Sequence, residues 1–299
     1  MIRAIVVKAN NIEGTGQTFY DMKDESGNLI FESIFGASFS GTGITYDVDR
    51  DITSLTVSSE RLGGSTPPPS GGDPVSDGLF VSLDASAYPG SGLWTDQTGN
   101  GNNGTVTGAT WLSDNGGIFD LDGTNDRIQI ADNASLRLRS AAQFTAQAWV
   151  KFDALPGLNV QVPVMGKLSG SFGFDGYWAG LFSNGGAVRS VTNGTGIQRI
   201  ATSSLPVTTG TWYLFTLISQ ITSTANTTKV YINTTEYITT AHGNDGYNES
   251  NPLYLGYIGD GVGSAYLNGK IGAFYFYTRG LSAAEVADNY NATKTRYGL

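Results

Sequence analysis

His242 is the only histidine in 299 residues, and there is no cysteine. Those two counts remove thiolate nucleophiles, disulfides, Cys-based zinc sites and His-rich metal centres. One residue is left for histidine acid–base chemistry. It lies in the loop-like run Ala241-His-Gly-Asn244, and no G-x-S-x-G motif supplies a nucleophile for it to activate. A second motif, Gly99-Asn-Gly101-Asn-Asn-Gly104, has the spacing of a dinucleotide-binding turn. That chemistry needs a helix N-terminus after the glycines to hold the pyrophosphate. Here Thr105-Val-Thr-Gly108 follows, which reads as strand, so the run is expected to be a glycine-rich surface turn.

Binding chemistry is better represented. Asp96, Thr98 and Asn100 place side-chain oxygens at positions 1, 3 and 5 of a loop, and Asp122, Thr124 and Asp126 repeat the pattern. A hard cation takes several closely spaced oxygens of this kind, so calcium is the one cofactor these residues point to. Neither loop carries the glutamate at position 12 of an EF-hand, and the same residue types also make ordinary Asx-turns. Aromatic residues crowd the stretch SGSFGFDGYWAGLF. There Tyr177 and Trp178 could stack on the apolar face of a sugar while Asp175 bonds its hydroxyls, or they could fill a sandwich core. His242, Asn244 and Tyr247 form a second polar–aromatic loop with the same two readings. The sequons at Asn103, Asn133, Asn193, Asn226, Asn233, Asn248 and Asn291 follow from a composition rich in Asn, Ser and Thr.

The elements that must position these residues are strands. Charged residues make up 14% of the chain, well below the roughly 25% of ordinary soluble domains, and Gly, Thr, Ser and Asn take their place, which is strand and turn chemistry. Phe144, Ala146, Ala148, Val150 and Phe152 alternate onto one face of a strand. Runs at 211–221, 229–238, 253–258 and 271–277 follow, separated by turn residues, as in a sandwich or barrel. Ser282-Ala-Ala-Glu285 is a capping box opening one short C-terminal helix, with Val286 and Tyr290 on a common face. The run Gly63–Pro74 (GGSTPPPSGGDP) reads as an interdomain linker. It separates a small all-β unit over 1–62 from a larger one over 78–299. About 60 residues make a marginal core alone, so the small unit is expected to dock or to assemble with further copies.

The net charge of −9 offers no basic patch for nucleic acid, and no run reaches the roughly 18 apolar residues of a membrane span. The apolar run at the N-terminus, Ala4–Val7, is too short for a signal peptide.

The order of segments GLWTDQTGNGNNGT, FDLDGTNDRIQI, FTAQAWVKF, GTWYLFTL, KVYIN and LNGKIGAFYFYTRGLSAAEVADN resembles a laminin-G-like domain of the concanavalin A-like lectin/glucanase superfamily. The resemblance covers about 220 residues, nearly everything after the linker. It implies an all-β, two-sheet antiparallel jelly roll with paired terminal strands, and a domain that binds glycans, proteins or calcium or is purely structural. Catalytic members of the glucanase branch carry an E-x-D-x-E strand. Glu13, Glu25, Glu32, Glu60, Glu236, Glu249 and Glu285 do not share that spacing, so no enzyme activity is expected. Three function classes follow. The first is a non-enzymatic virion structural protein, capsid-decorating or tail, of the style found in bacteriophages. Its lectin-like head would attach to host-surface glycans, and its small unit would hold it to other virion proteins as a homo-oligomer. The second is a secreted bacterial carbohydrate-binding module or adhesin, located outside the cell. The third is a glycoside-active enzyme.

Overall fold

The computed structural model describes residues 73–137, 143–157, 160–168, 176–182, 187–192, 198–201, 207–221, 226–242, 250–259 and 264–299, together with three short strands upstream. The chain divides into two compact units, Met1–Thr66 and Pro67–Leu299. In the first, β1 (Ala4–Ile5), β2 (Asp21–Lys23) and β3 (Leu29–Phe31) form an antiparallel sheet in the order β1-β2-β3. The rest of the expected small unit, 32–62, and the linker residues 63–72 lie outside the described residues.

The second unit is a two-sheet sandwich. In chain order it contains β4 (Leu79–Asp84), β5 (Leu93–Trp94), β6 (Gly104–Thr107), β7 (Thr110–Leu112), β8 (Ile118–Asp122), β9 (Arg127–Ile130), β10 (Phe144–Phe152), β11 (Gln161–Leu168) and β12 (Gly176–Phe182). It continues with β13 (Ala187–Thr192), β14 (Gln198–Ala201), β15 (Trp212–Ile221), β16 (Asn226–Ile232), β17 (Thr235–His242), β18 (Leu253–Leu255), β19 (Tyr257–Gly259), β20 (Ser264–Tyr266) and β21 (Asn268–Tyr277). One sheet runs β17-β16-β15-β10-β21-β8-β7, with β4 beside the second half of β21. The other runs β14-β13-β12-β11-β18-β9-β6-β5, and β19 and β20 pair as a separate hairpin. Every pairing is antiparallel, and β4, the first strand of the unit, pairs with β21, its last.

Strand β10 behaves as its alternation predicts. Phe144, Ala146, Ala148, Val150 and Phe152 all enter the core between the sheets, where they meet Phe274 and Phe276 from β21 and Ile128 and Leu253 from the opposite sheet. Phe144 stacks on Phe276 at 5.4 Å. The other face of β10 is buried as well, because the C-terminal segment lies across it. Helix α1 (Ala283–Thr293) and the short 3-10 turn that follows pack Val286 and Tyr297 against Trp149, Leu214, Tyr275 and Tyr277. Trp149 stacks on Tyr297 at 4.3 Å. The expected capping box is present, since the Ser282 hydroxyl accepts from the Glu285 amide while the Glu285 carboxylate accepts from the Ser282 amide. The helix then continues beyond Tyr290 to Thr293, because its lower face has a full sheet to bury against.

That second interface contains polar groups, and several are joined by hydrogen bonds, although the buried Tyr297 hydroxyl has no partner among the described residues. Asn289 is fully buried; its Nδ2 donates to Gln147 Oε1 (2.6 Å) and to the Tyr277 hydroxyl (2.9 Å), and its Oδ1 accepts from the Val75 amide (2.7 Å). Gln147 Nε2 donates to the Thr216 hydroxyl (2.9 Å), and Trp149 Nε1 donates to the Thr293 hydroxyl (2.8 Å). One amide side chain therefore ties the entering chain, the sheet and the helix together. Asn289→Ala would leave several buried groups unpaired, each costing about 1–3 kcal/mol. We expect a loss of about 3 kcal/mol in denaturant unfolding; a loss below about 0.5 kcal/mol would contradict this role.

Candidate functional site

With one sheet covered by the helix, the outward face of the other becomes the place to look. In β9, Ile128 and Ile130 are buried; in β18, so are Leu253 and Leu255. Strand alternation therefore turns Arg127, Gln129 and Tyr254 outward. The register places Leu93 beside Thr105, Thr105 beside Gln129, Gln129 beside Tyr254 and Tyr254 beside Gly166. Leu93 is half exposed, at 50%.

Aromatic side chains gather at the β18 end of this row. Gly256, with a positive φ of 72°, breaks the strand between β18 and β19, and a Cβ there would come within 2.3 Å of Leu121. The turn brings Tyr257 next to Tyr254, edge to face at 5.0 Å. In the hairpin, Tyr257 pairs with Tyr266, and their rings lie 4.9 Å apart. The Arg127 guanidinium sits 5.9 Å from the Tyr257 ring centre and donates to the Asn125 carbonyl at 3.2 Å. All three tyrosines are half-buried, with rings braced by one another. Burial raises the Tyr254 phenol above its ordinary range, with Tyr257 adding to the shift and Arg127 opposing it. Its hydroxyl thus stays protonated, able to donate and accept. A braced set of phenol rings bordered by an amide, a guanidinium and threonine hydroxyls suits a ligand with apolar C–H faces and many hydroxyl groups.

The residues singled out in the sequence lie elsewhere. Tyr177 and Trp178 are both fully buried, which corrects the expectation that they touch a ligand. Tyr177 points into the core, 4.5 Å from Phe144, and its hydroxyl donates to the Leu136 carbonyl at 2.8 Å. Trp178 faces the other way, but the β19–β20 hairpin closes over it through Ile258 and Ala265. His242 ends β17, paired in register with Asn226. Asp175, Asn244 and Tyr247 lie outside the described residues.

The two oxygen-rich loops are Asx-turn networks. Asp96 is 4% exposed. Its Oδ1 accepts from the Ser82 amide (3.0 Å), the Thr98 amide (3.1 Å) and the Thr98 hydroxyl (2.8 Å), and its Oδ2 accepts from the Asn102 amide (3.1 Å). Asn100 turns its Nδ2 toward the Phe80 carbonyl at 3.0 Å. In the second loop, Asp122 Oδ1 accepts from the Thr124 amide (2.7 Å), and Asp126 Oδ2 accepts from the Asp122 amide (3.0 Å). Asp126 also packs against Gly108, where a Cβ would fall 1.9 Å from its Oδ1. These bonds support the Asx-turn reading of both loops, and calcium remains the expectation that thermal unfolding tests.

A buried ion cluster was not apparent in the sequence. Lys167 is fully buried on β11, and its Nζ donates to Asp132 Oδ1 at 2.7 Å and to the Asn251 carbonyl. Arg137 binds the same carboxylate, with Nε 3.1 Å from each oxygen. The Arg137 bond, then Lys167, against the cost of burial, hold the Asp132 carboxyl at about 2. At the helix, Arg279 clasps Glu285 with bonds of 3.0 and 2.7 Å and likewise holds it at about 2. Neither carboxyl is available to act as an acid near neutral pH.

Two outcomes follow. On the Asx-turn reading, thermal unfolding curves in millimolar calcium and in chelator should coincide; a calcium-dependent rise in Tm lost in Asp96→Ala or Asp122→Ala would show a metal site instead. A carboxyl depressed in the folded state contributes stability above its ordinary pKa and loses it as pH falls through the folded value. The stability gap between the native chain and Asp132→Asn should therefore be largest near neutral pH and close as pH falls toward about 2. A gap independent of pH in urea unfolding would contradict the ion cluster.

No curated protein matches the chain. Among solved structures, it is similar to domain 4 of AbnA, a GH43 extracellular arabinanase from Geobacillus stearothermophilus, in complex with arabinotriose. Identity is 19%, over 71% of this chain and 98% of that one, with a TM-score of 0.53. It is also similar to the binding domain of Paraclostridial Mosquitocidal Protein 1, at 18% identity over 72% of this chain and 52% of that one, TM-score 0.56. The binding domain of Botulinum Neurotoxin DC in complex with SialylT matches at 13% identity over 72% of this chain and 52% of that one, TM-score 0.53. The chain thus spans about half the length of those two toxin domains. At these identities the likeness is one of fold. The sequence profile of the third laminin-G family of the concanavalin A-like lectin/glucanases superfamily matches residues 122–287, more than half of the chain. Sequence pattern, sandwich topology and profile agree: the chain belongs to the concanavalin A-like lectin/glucanases superfamily.

Proposed function

We propose that this chain is a non-enzymatic glycan-binding protein displayed on a virion. Its sandwich presents the Tyr254–Tyr257–Tyr266 face to host-surface sugars, and its 1–62 unit joins it to other virion proteins and to further copies of itself. The observation that carries the binding half is the braced trio of phenol rings beside Gln129 and Arg127, on the sheet face that the helix leaves open. Two similar folds are known in complex with arabinotriose and with SialylT, which supports a saccharide as the ligand. The two carboxylates held ionised by arginine partners support binding without turnover. The absence of cysteine, the bias to Gly, Ser, Thr and Asn and the net charge of −9 support display on a particle.

Screening the chain against an array of bacterial and host oligosaccharides tests the binding half. A bound glycan should lose about tenfold or more in affinity with Tyr257→Ala, the equivalent of about 1.4 kcal/mol, with Tm unchanged within a few degrees. Equal affinity of the variant for every bound glycan would refute the assignment of the face. Residues 73–299 alone should keep the glycan affinity and lose association with particles and with other copies. Particle association that survives removal of 1–72 would refute the anchoring role.

A further inference from the structure

The β19–β20 hairpin belongs to neither large sheet among the described residues. Its strands pair only with each other, Tyr257 with Tyr266, Ile258 with Ala265 and Gly259 with Ser264. A two-stranded hairpin alone is marginally stable in water, so its underside must hold it in place. Alternation along each strand puts Ile258 and Ala265 on one face and Tyr257 and Tyr266 on the other. Beneath Ile258 and Ala265 lie Trp178 and Leu168, and these four residues form a cluster separate from both larger cores. Trp178 rests on two glycines. Gly180 lies under its ring, where a Cβ would fall 3.1 Å from Cζ3, and a Cβ at Gly166 on the neighbouring strand would fall 2.8 Å from the Trp178 Cβ. The base of the hairpin is fixed more firmly than its strands. The Gly256 amide donates to the Val164 carbonyl (3.0 Å), the Leu267 amide donates to the Gly256 carbonyl (2.8 Å), and Leu267 is fully buried. Strand β18, just before that base, is paired on both sides, and its Leu253 and Leu255 are fully buried. Segments with few buried apolar contacts open at lower free energy than the strands of a core. The boundary between the two regimes falls at Gly256.

We propose that the hairpin is a hinged flap, which lifts about Gly256 and Leu267 while the sandwich stays folded and which assembles the tyrosine face only when closed. The second half of this statement rests on the reading of that face as the glycan site. Tyr254 and Arg127 belong to β18 and β9 and stay with the sheet. Tyr257 and Tyr266 belong to the flap and leave with it, breaking the ring contacts of 5.0 Å to Tyr254 and 5.9 Å to Arg127. The same movement uncovers the Trp178 indole on its glycine floor. A ligand that touches all three phenols binds the closed form alone, so it holds the flap down. Its apparent affinity is reduced in turn by the fraction of the chain that is open.

The chain has no cysteine, so a single introduced thiol reports opening without background. Ile258→Cys places one beneath the flap, at a position 5% exposed, and Leu255→Cys places one at a fully buried position of β18. Each full-length variant is reacted with an excess of an aromatic disulfide reagent in water and in low urea. The Ile258→Cys thiol should react at least about a hundredfold faster than the Leu255→Cys thiol, at a rate that low urea leaves unchanged, because a local opening exposes little surface. Leu168→Cys, on the sheet side of the same contact, carries the test if Ile258→Cys fails to fold. Equal rates at the two positions, a rate under the flap that climbs with urea as steeply as global unfolding, or a rate equal to that of the unfolded chain would each overturn the flap. A glycan whose affinity depends on Tyr257, present at about a hundred times its Kd, should slow the reaction under the flap about a hundredfold. An unchanged rate at that saturation would overturn the coupling to the tyrosine face. If no glycan binds, the reading of that face fails, and the rates in the free chain still decide the flap.

Discussion

The sandwich depends on the burial of both faces of β10. Its inward residues make the core between the sheets, but its outward residues include Thr145 and Gln147, which are fully buried beneath the C-terminal segment. An apolar helix laid on that surface would strand them. The segment supplies matching groups instead: Asn289 to Gln147, Thr293 to Trp149, and the Leu281 amide to the Thr145 hydroxyl at 2.9 Å. Aromatic stacking contributes area, and the hydrogen bonds fix where the helix lies. Because Asn289 also holds the Val75 amide, the start and the end of the sandwich close on the same point.

That closure decides which surfaces remain. The helix-covered sheet has little open outer face near its centre. The other sheet is covered only in part, where the β19–β20 hairpin folds over Trp178. The hairpin therefore has two roles. Ile258 and Ala265 seal the sheet beneath it, while Tyr257 and Tyr266 extend the aromatic surface that begins at Tyr254. The same local fold buries one candidate aromatic and presents others.

Period-two alternation in 144–152 and the Ser282–Glu285 capping box were both legible in the sequence, because each is written in near neighbours. The partition between buried and presented aromatics was not. Trp178 is an outward residue of its strand, and only a hairpin about eighty positions later covers it. Tyr254 and Tyr257 sit in LYLGYIG, which reads as another core strand. The available signal was Gly256, whose left-handed φ of 72° turns the chain so that both tyrosines reach one surface. The Asp96 loop was ambiguous for a different reason. Side-chain oxygens at positions 1, 3 and 5 serve a cation and an Asx-turn equally well, and only the direction of the surrounding N–H groups separates them. The Lys167–Asp132–Arg137 cluster joins residues up to 35 positions apart, with no local pattern to announce it.

The central claim is that the outward face of β6, β9 and β18, with its hairpin, is where a glycan sits. Selective labelling of tyrosine rings and titration with a bound oligosaccharide measures this most directly. The account predicts that the Tyr254, Tyr257 and Tyr266 resonances shift together along one saturation curve that matches the affinity of the chain. Those three rings unmoved at saturating glycan would contradict it.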